Sequence, residues 1–262
     1  MVALTTKVMS VSCLVLAIGI YIYPRDHDHS FDYFYLALQW PASVCHEGSN
    51  VNCINPLPGN FTIHGLWAQK KIKNHNKLKS YDCNSTSTRK KICRKHPFNY
   101  DELKNDKMLM EMMNKSWPNL IEGRSSSPDH EQNKKFWKQE WERHGCCLFN
   151  FKSKQKEYFK KTCGMWKQAP LLEIFAAHKP PITPGRNKKY SLRQYIEAIR
   201  RSELRRGAVL KCNKNKPKRL VEVRLCTDKE VTKFVDCPGR ILTVSRSCGK
   251  YSSKIAFPIS YT

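Results

Sequence analysis

Hydrophobic and polar residues alternate along several stretches of this 262-residue chain, and the alternation predicts β-strands. FDYFYLALQWP (31–41) is rich in aromatic residues and ends at Pro41, which lacks the backbone N–H that a central strand donates. FTIHGLWAQ (61–69) is short, apolar and β-branched, so it also predicts a strand. LVEVRLC (220–226) and ILTVSRSC (241–248) predict two late strands, with a cysteine-bounded loop between or beside them.

The middle of the chain has helical periodicity. Apolar residues recur at helical spacing between 99 and 120, which predicts a helix that Pro118 stops. The apolar positions of this helix, expected to fill the core, are Leu103, Met108, Met112 and Met113. Further helices are predicted at 131–147, 153–166, 170–179 and 191–205. Gly145 lies near the C-terminal end of the first of these, and Ser191 is the expected N-cap of the last.

The segment between the second strand and the first helix has a different composition. KKIKNHNKLKSYDCNSTSTRKKICRKH (70–96) is dense in Lys, Asn and Ser, which predicts a basic loop rather than a core element. Cys83 and Cys93 are expected to anchor this loop. The chain has no internal repeat and no long linker, so the element order predicts one α+β domain over 26–262.

Charge is the most unusual feature of the composition. There are 47 Lys and Arg against 22 Asp and Glu, a formal net charge of +25, while apolar residues make up 40% of the chain. The apolar fraction is sufficient for a sizeable core at this length. The charge favours an acidic partner such as nucleic acid, an anionic membrane or an acidic polysaccharide, and the alternative is a solubilising surface.

The N-terminus predicts export. Lys7 precedes the apolar run VMSVSCLVLAIGIYIY, which ends at the polar PRDHDHS, a pattern typical of a signal peptide of about 25 residues (1–25). The mature chain is expected to begin between Tyr23 and Phe31. The alternative is an uncleaved membrane anchor, although the run is short for a membrane span. We therefore expect a secreted protein that has no membrane attachment after cleavage.

The cysteines agree with export. Of twelve cysteines, Cys13 lies in the predicted signal, and the remaining eleven indicate a disulfide framework with an odd thiol. No Cys-x-x-Cys pair with partner histidines occurs, so no zinc site is predicted. Glycosylation sequons begin at Asn60, Asn84 and Asn114, although such motifs also occur unused by chance.

Two short segments contain candidate catalytic residues. On the helix containing FWKQEWERHGCC, Glu140, Arg143 and His144 share one face, and Trp137 and Trp141 form a neighbouring core-facing stripe. A carboxylate, a guanidinium and an imidazole together suit phosphoryl chemistry. Alone, however, this face is weak evidence for chemistry and favours a solvated helix with one i,i+4 pair.

The second segment makes the chemical interpretation stronger. His64 lies in the apolar strand segment FTIHGLWAQ, three residues before Trp67. Two histidines can act as a base and an acid on opposite sides of one phosphate. RNA carries its own nucleophile, the 2′-hydroxyl, so no metal is required. Trp67 could stack on a base of single-stranded RNA.

FTIHGLW and FWKQEWERHGCC resemble the two active-site segments of the T2 family of secreted endoribonucleases. The family patterns run roughly Thr-Ile-His-Gly-Leu-Trp-Pro and Phe-Trp-x-His-Glu-Trp-x-Lys-His-Gly-Thr-Cys. The resemblance covers nearly the whole mature chain and is closest to the plant branch, in particular the basic pistil S-ribonucleases of gametophytic self-incompatibility. It implies an α+β fold in which helices flank a central antiparallel sheet, and it implies no cofactor and no metal.

The resemblance also implies roles for individual residues. His144 would take the 2′-hydroxyl proton, and His64 would protonate the leaving 5′-oxygen. Glu140 and Arg143 would stabilise the pentacoordinate phosphate, and Trp67 would belong to the first base site. The products would be a 2′,3′-cyclic phosphate and a 5′-hydroxyl end.

The chain departs from the family pattern at four positions. Gln139 stands where many members have a third histidine that helps to hold phosphate, and we expect activity to survive because plant self-incompatibility members often lack that histidine. Arg143 keeps the cation of the family lysine with a different geometry. Ala68 replaces a proline, and Cys146 stands at the threonine position, so Cys147 matches the family cysteine.

The resemblance further implies a set of disulfide bonds. The implied pairs are Cys45–Cys53, Cys83–Cys147, Cys212–Cys248 and Cys226–Cys237. Cys93, Cys146 and Cys163 remain, of which two can pair.

Three functional hypotheses follow. The first is an active, monomeric pistil S-ribonuclease whose partners are single-stranded RNA and pollen F-box proteins. The second is an S-like ribonuclease in defence or phosphate scavenging, against which the strong positive charge argues because such relatives are often acidic. The third is a basic binding or storage protein of the same fold that has lost catalysis, for which Gln139 is the only support.

Overall fold

The computed structural model describes residues 31–46, 52–71, 78–122, 129–148, 154–238 and 245–259. Its strands are β1 (Tyr33–Gln39), β2 (Thr62–Lys71), β3 (Leu78–Ser80), β4 (Lys189–Ser191), β5 (Ala208–Cys212), β6 (Leu220–Thr227), β7 (Phe234–Val235) and β8 (Lys254–Ala256). Within these ranges, six strands form one antiparallel sheet with the order β3-β2-β1-β6-β5, and β7 pairs with β6. Strands β4 and β8 pair separately.

Helices lie around this sheet. They are α1 (Pro41–Val44), α2 (Ser87–Lys95), α3 (Tyr100–Lys104), α4 (Lys107–Ser116), α5 (Asp129–Glu140), α6 (Gln155–Lys167), α7 (Leu171–Ala177) and α8 (Leu192–Arg201). Helix α6 packs against β1 and β2, and α7 packs against α8. Ser191 caps α8 as predicted, in a capping box with Gln194. An antiparallel sheet with packed helices confirms the predicted α+β class.

Strand β1 is buried on both faces. Phe34, Leu36 and Leu38 point into the main core, which includes side chains of α4, α6 and α8. Tyr33 and Tyr35 point to the opposite face, where they form a smaller cluster in which Trp67 also packs. The strand stops before Pro41, as predicted, because Pro41 occupies the first turn of α1. This second face of the sheet carries the candidate site.

The prediction of a basic loop at 70–96 is wrong in part, because the segment contains β3 and α2. Thr86 caps α2 by accepting a hydrogen bond from the backbone N–H of Arg89, and the Arg89 guanidinium lies 3.5 Å from the centre of the Tyr81 ring. A disulfide joins Cys93 of α2 to Cys146. The helix is thus held by a cap, a cation–π contact and a covalent bond rather than by an apolar stripe.

The helix predicted between 99 and 120 is two helices, α3 and α4. Asn99 caps the first and Asp106 caps the second, so a new cap interrupts the predicted run after Lys104. Met113 and Leu103 are buried, whereas Met108 is exposed and does not fill the core. Helix α4 ends two residues before Pro118.

Two features near the C-terminus differ from what the sequence predicts. Strand β5 was not predicted, although it lies beside β6 in the sheet. The first part of the predicted strand at 241–248 is residues 241–244, which lie outside the described residues. The rest of it is not a strand, because Arg246–Cys248 forms a 3-10 turn.

The predicted signal peptide also lies outside the described residues. Every helix within those residues is too short or too polar to cross a membrane.

Disulfide bonds join the described segments. The four pairs that the resemblance implies are present, and a fifth bond joins Cys93 to Cys146. Cys163 is therefore the odd cysteine of the described chain, and it is buried. Asn84 and Asn114 are exposed, whereas Asn60 is partly buried. Glycosylation at these three sequons stays a prediction.

Candidate active site

His64 lies at an irregularity in the central sheet. Ala37 of β1 pairs with Gly65 and Leu38 pairs with Ile63, so His64 is an extra residue in β2 without a partner on β1. Such a β-bulge bends the strand and redirects the side chain of the extra residue. The Trp117 indole N–H donates a hydrogen bond of 3.1 Å to the backbone carbonyl of His64, which holds the bulge in place.

A chain of charged groups holds the His64 ring. Its Nδ1 lies 2.6 Å from Oε2 of Glu222, and Oε1 of Glu222 accepts a hydrogen bond of 2.6 Å from Nε of Arg224. Glu222 is 4% exposed. Burial alone would lower the pKa of His64, but the hydrogen bond and the charge of Glu222 outweigh it, so that pKa is raised. The protonated form of His64 is therefore more favoured than in a free imidazole.

Glu140 reaches β2 next to the bulge, at Gly65 and Trp67. Its Oε2 accepts a hydrogen bond of 2.9 Å from the indole N–H of Trp67. Burial raises the pKa of Glu140 to about 7. A Cβ atom at Gly65 would collide with the Glu140 carboxylate and the Trp67 indole, so this position requires glycine. The absence of a side chain at Gly65 thus lets β2, the carboxylate and the indole approach one another closely.

His144 is on a turn that leaves α-helical geometry. Residues 141–145 form a π-helical turn, in which the backbone N–H of Cys146 donates a hydrogen bond of 2.9 Å to the carbonyl of Trp141. Such turns occur frequently at functional sites. The ring of His144 is buried, 5.5 Å from the Trp67 ring, and its Nδ1 has no hydrogen-bond partner among the described residues. Burial lowers the pKa of His144 to about 3, so this imidazole is neutral in the free protein.

The remaining predicted residues lie further out. Arg143 is exposed and forms a salt bridge of 3.0 Å with Asp82. Gln139 is exposed on α5, and its side chain makes no hydrogen bond to any residue that the structure describes. The structure therefore brings together His64, Trp67, Glu140 and His144, with Arg143 directed to Asp82 and Gln139 to the surface.

Sequence reasoning missed three residues of this site. Glu222 and Arg224 reach it from β6, and the half-buried Phe136 ring lies 6.3 Å from the His64 ring. The Arg224 guanidinium also lies 4.8 Å from the centre of the Trp67 ring. The alternation in LVEVRLC offered one signal, because it places Glu222 and Arg224 on the same face of an otherwise apolar strand.

The described residues contain one group of potential metal ligands. The sulfur atoms of Cys83, Cys93 and Cys146 lie within 4.8 Å of one another. All three sulfurs are in disulfide bonds, so none is a thiolate that could bind a metal ion.

Known proteins resemble this chain in sequence over most of its length. The profile of the Ribonuclease T2 family matches residues 31–237. Ribonuclease S-2 of Antirrhinum hispanicum is 31% identical over 214 residues, which cover 80% of this chain and 77% of that protein. In Solanum lycopersicum, intracellular ribonuclease LX is 29% identical, covering 87% of this chain and 84% of its own length. Extracellular ribonuclease LE of the same species is 28% identical, and the match covers 79% of this chain and 81% of that protein.

Solved structures agree with these sequence matches. RNase NT in complex with 5′-AMP has a TM-score of 0.62 and 30% identity, covering 87% of this chain and 98% of that one. The self-incompatibility-associated SF11-RNase of Nicotiana alata has a TM-score of 0.64 and 24% identity, and the match covers 88% of this chain and 100% of that one. The second match is a likeness of fold.

Proposed function

The chain belongs to the ribonuclease T2 family and is a ribonuclease, and we propose that it cleaves single-stranded RNA internally by attack of the 2′-hydroxyl on the adjacent phosphate. In this reaction a bond forms between the 2′-oxygen and phosphorus while the bond to the 5′-oxygen breaks. The products are a 2′,3′-cyclic phosphate and a 5′-hydroxyl end. No metal ion takes part in the proposed reaction, because the nucleophile belongs to the substrate and the protein moves only protons.

The opposite pKa shifts of the two histidines support this proposal most strongly. Burial keeps His144 neutral in the free protein, so its ring can accept the 2′-hydroxyl proton, and the negative charge of a bound phosphate would raise its pKa towards neutrality. Glu222 favours the charged form of His64, which suits an acid that donates a proton to the departing 5′-oxygen. Paired titratable groups with pKa values pushed apart are the pattern expected of an acid and a base at one site.

Other residues of the site would stabilise the charge that develops on the phosphate. Glu140, with its pKa raised to about 7, can hold a proton near neutral pH and donate a hydrogen bond to a phosphate oxygen. Arg143 can supply positive charge if the substrate draws it away from Asp82. Gln139 is proposed to contact the phosphate from the end of α5.

Two features favour single-stranded RNA as the substrate. The Trp67 ring, 4.9 Å from the His64 ring, offers a flat surface on which an unpaired base can stack. The net charge of +25 attracts a polyanion over a long range. Attraction of this kind weakens as the salt concentration rises.

The biological role is a finer proposal. Similarity to Ribonuclease S-2 and the strong positive charge favour a secreted, monomeric pistil ribonuclease of self-incompatibility that pollen F-box proteins recognise. The relatives also include an extracellular and an intracellular ribonuclease of Solanum lycopersicum at similar identity. Expression confined to the style supports the first role, whereas induction in starved or wounded leaf supports defence or phosphate scavenging.

The chemistry can be tested with a DNA oligonucleotide that contains one ribonucleotide. Cleavage is expected only after the ribonucleotide, and mass spectrometry should find a 2′,3′-cyclic phosphate on the upstream fragment. The matched control carries a 2′-O-methyl group at the same ribose. Cleavage of this control would refute attack by the 2′-oxygen, and a folded protein that cleaves neither substrate would favour the binding-protein hypothesis.

A further inference from the structure

Three cations converge on the face of the sheet that carries His64. Lys211 of β5 pairs directly with Glu222 of β6, and Arg224 follows two residues later on the same face. The third is Arg246, whose neighbours Ser245 and Ser247 accept hydrogen bonds of 3.0 and 3.1 Å from backbone N–H groups of β5. Its charge acts on Lys211. A disulfide between β5 and the 3-10 turn at 246–248 keeps Arg246 close to the strand pair.

This cluster has more positive charge than its surroundings neutralise. Glu222 is the carboxylate that acts on Lys211 here, and it is already bound to both Arg224 and His64. Lys211 is half-buried, and burial together with the charges of Arg224 and Arg246 lowers its pKa. Lys211 and Arg246 form no salt bridge with any described residue. Like charges held close together are unfavourable unless an anion binds between them.

Arg224 is fixed in position before any ligand arrives. Its guanidinium lies 4.8 Å from the centre of the Trp67 ring and 5.5 Å from the centre of the Tyr35 ring, and 23% of its side chain is exposed. A guanidinium held by aromatic contacts and one carboxylate loses little conformational freedom when it binds an anion. The exposed part of the group remains available for a ligand.

We propose that Lys211, Arg224 and Arg246 form a subsite for an RNA phosphate group next to the one that is cleaved. Glu222 contacts both His64 and Arg224 and pairs with Lys211, so the cluster lies next to the histidines, and an RNA chain bound there would place a neighbouring phosphate over the three cations. The inference rests on the proposed endoribonuclease function and deepens it, because it makes the substrate a chain with at least two phosphates.

The test compares substrates that differ by one phosphate. A dinucleoside monophosphate is cleaved beside the same dinucleotide with an added phosphate at its 5′ or its 3′ end. Wild-type kcat/KM is expected to rise roughly tenfold for one of the two extended substrates, since a charge-assisted hydrogen bond contributes on that scale. In a Lys211→Gln, Arg246→Gln double variant this ratio should fall towards one.

The matched control removes the same two positive charges from exposed positions elsewhere on the surface. A double variant, Arg200→Gln with Arg201→Gln, changes the last turn of α8 and should keep the wild-type ratio. Arg224 stays unchanged throughout, because its loss would also disturb Glu222. An equal fall of the ratio in both double variants would mean that only net charge matters, which would overturn the subsite.

A binding measurement separates failure of the subsite from failure of the proposed function. Calorimetry compares a nucleoside 3′,5′-bisphosphate with the 3′-monophosphate and needs no turnover. Tighter binding of the bisphosphate, lost in the Lys211 and Arg246 double variant, would support the subsite even if no RNA were cleaved. Equal binding of both ligands, together with equal cleavage of short and extended substrates, would overturn the subsite while the ribonuclease function stood.

Discussion

Glu222 is the residue whose replacement tests the proposed acid most sharply. Its Oε2 lies 2.6 Å from Nδ1 of His64, and it is buried. Replacing it by glutamine keeps the size of the side chain and the capacity for hydrogen bonding but removes the charge. Activity that depends on protonated His64 falls as the pH rises through the pKa of His64. Because the variant lowers that pKa, the fall should begin at a lower pH.

The size of the shift follows from the contact. A hydrogen bond to a charged group contributes about 1.5 to 3 kcal/mol, and one pKa unit corresponds to about 1.4 kcal/mol. These values give a shift of about one to two units. The His64 side chain is 39% exposed, so solvent screening favours the lower end, about one unit.

The assay is the pH dependence of kcat/KM on a dinucleotide substrate. The descending limb should move by about one unit to lower pH in Glu222→Gln. Glu142→Gln is the matched control, because this partly exposed carboxylate lies on the turn of His144 and pairs with Lys138. It should leave the descending limb in place.

Two outcomes would refute this reasoning. If the descending limb of Glu222→Gln coincides with that of the wild type, His64 is not the acid whose charge Glu222 favours. If Glu142→Gln shifts the limb equally, the effect is one of general electrostatics and not of the contact with Glu222. Circular dichroism must show that each variant is folded, since the change also removes a partner of Arg224.

Three further predictions concern Gly65 and the cysteines. Gly65→Ala should lower kcat by about 100-fold while the protein stays folded, because its Cβ would displace Glu140; wild-type kinetics would contradict the close approach. Cys93→Ser with Cys146→Thr removes one disulfide and should lower the free energy of unfolding by about 3 kcal/mol in chemical denaturation. The Cys83–Cys147 bond remains, so the Cys93–Cys146 bond closes a loop of only about a dozen residues, and the loss of chain entropy for a loop of that length gives this value. An unchanged midpoint would contradict this bond. Cys163 should resist iodoacetamide in the native protein and react after denaturation, since burial raises its pKa to about 12; native labelling would show that this site is open.

The residues that could be predicted are those within two short motifs. His64, Trp67, Glu140 and His144 are close in sequence to recognisable neighbours, so the resemblance identified them, and the structure brings them together. The pairing of Glu222 with His64 could not be predicted in the same way, because 158 residues separate them and only the sheet order places β6 beside β1. The bulge at His64 is equally a property of the paired strands.

The errors in the fold have physical causes as well. Helix α2 has no clear apolar stripe, because its stability comes from a cap, a stacked arginine and the bond of Cys93 to Cys146. Periodicity could not reveal it. The break between α3 and α4 depends on Asp106, whose side chain accepts a hydrogen bond from the backbone N–H of Leu109 and so starts a new helix. Local capping overrode an apolar pattern that spans both helices.

The central claim is that two histidines cleave RNA without a metal ion, and one experiment tests it directly. The purified, disulfide-intact protein is incubated with single-stranded RNA in EDTA, beside His64→Ala and His144→Ala variants shown to be folded. The account predicts cleavage to cyclic-phosphate ends by the wild type and loss of cleavage in both variants. Cleavage that EDTA abolishes, or that survives in either variant, would contradict it.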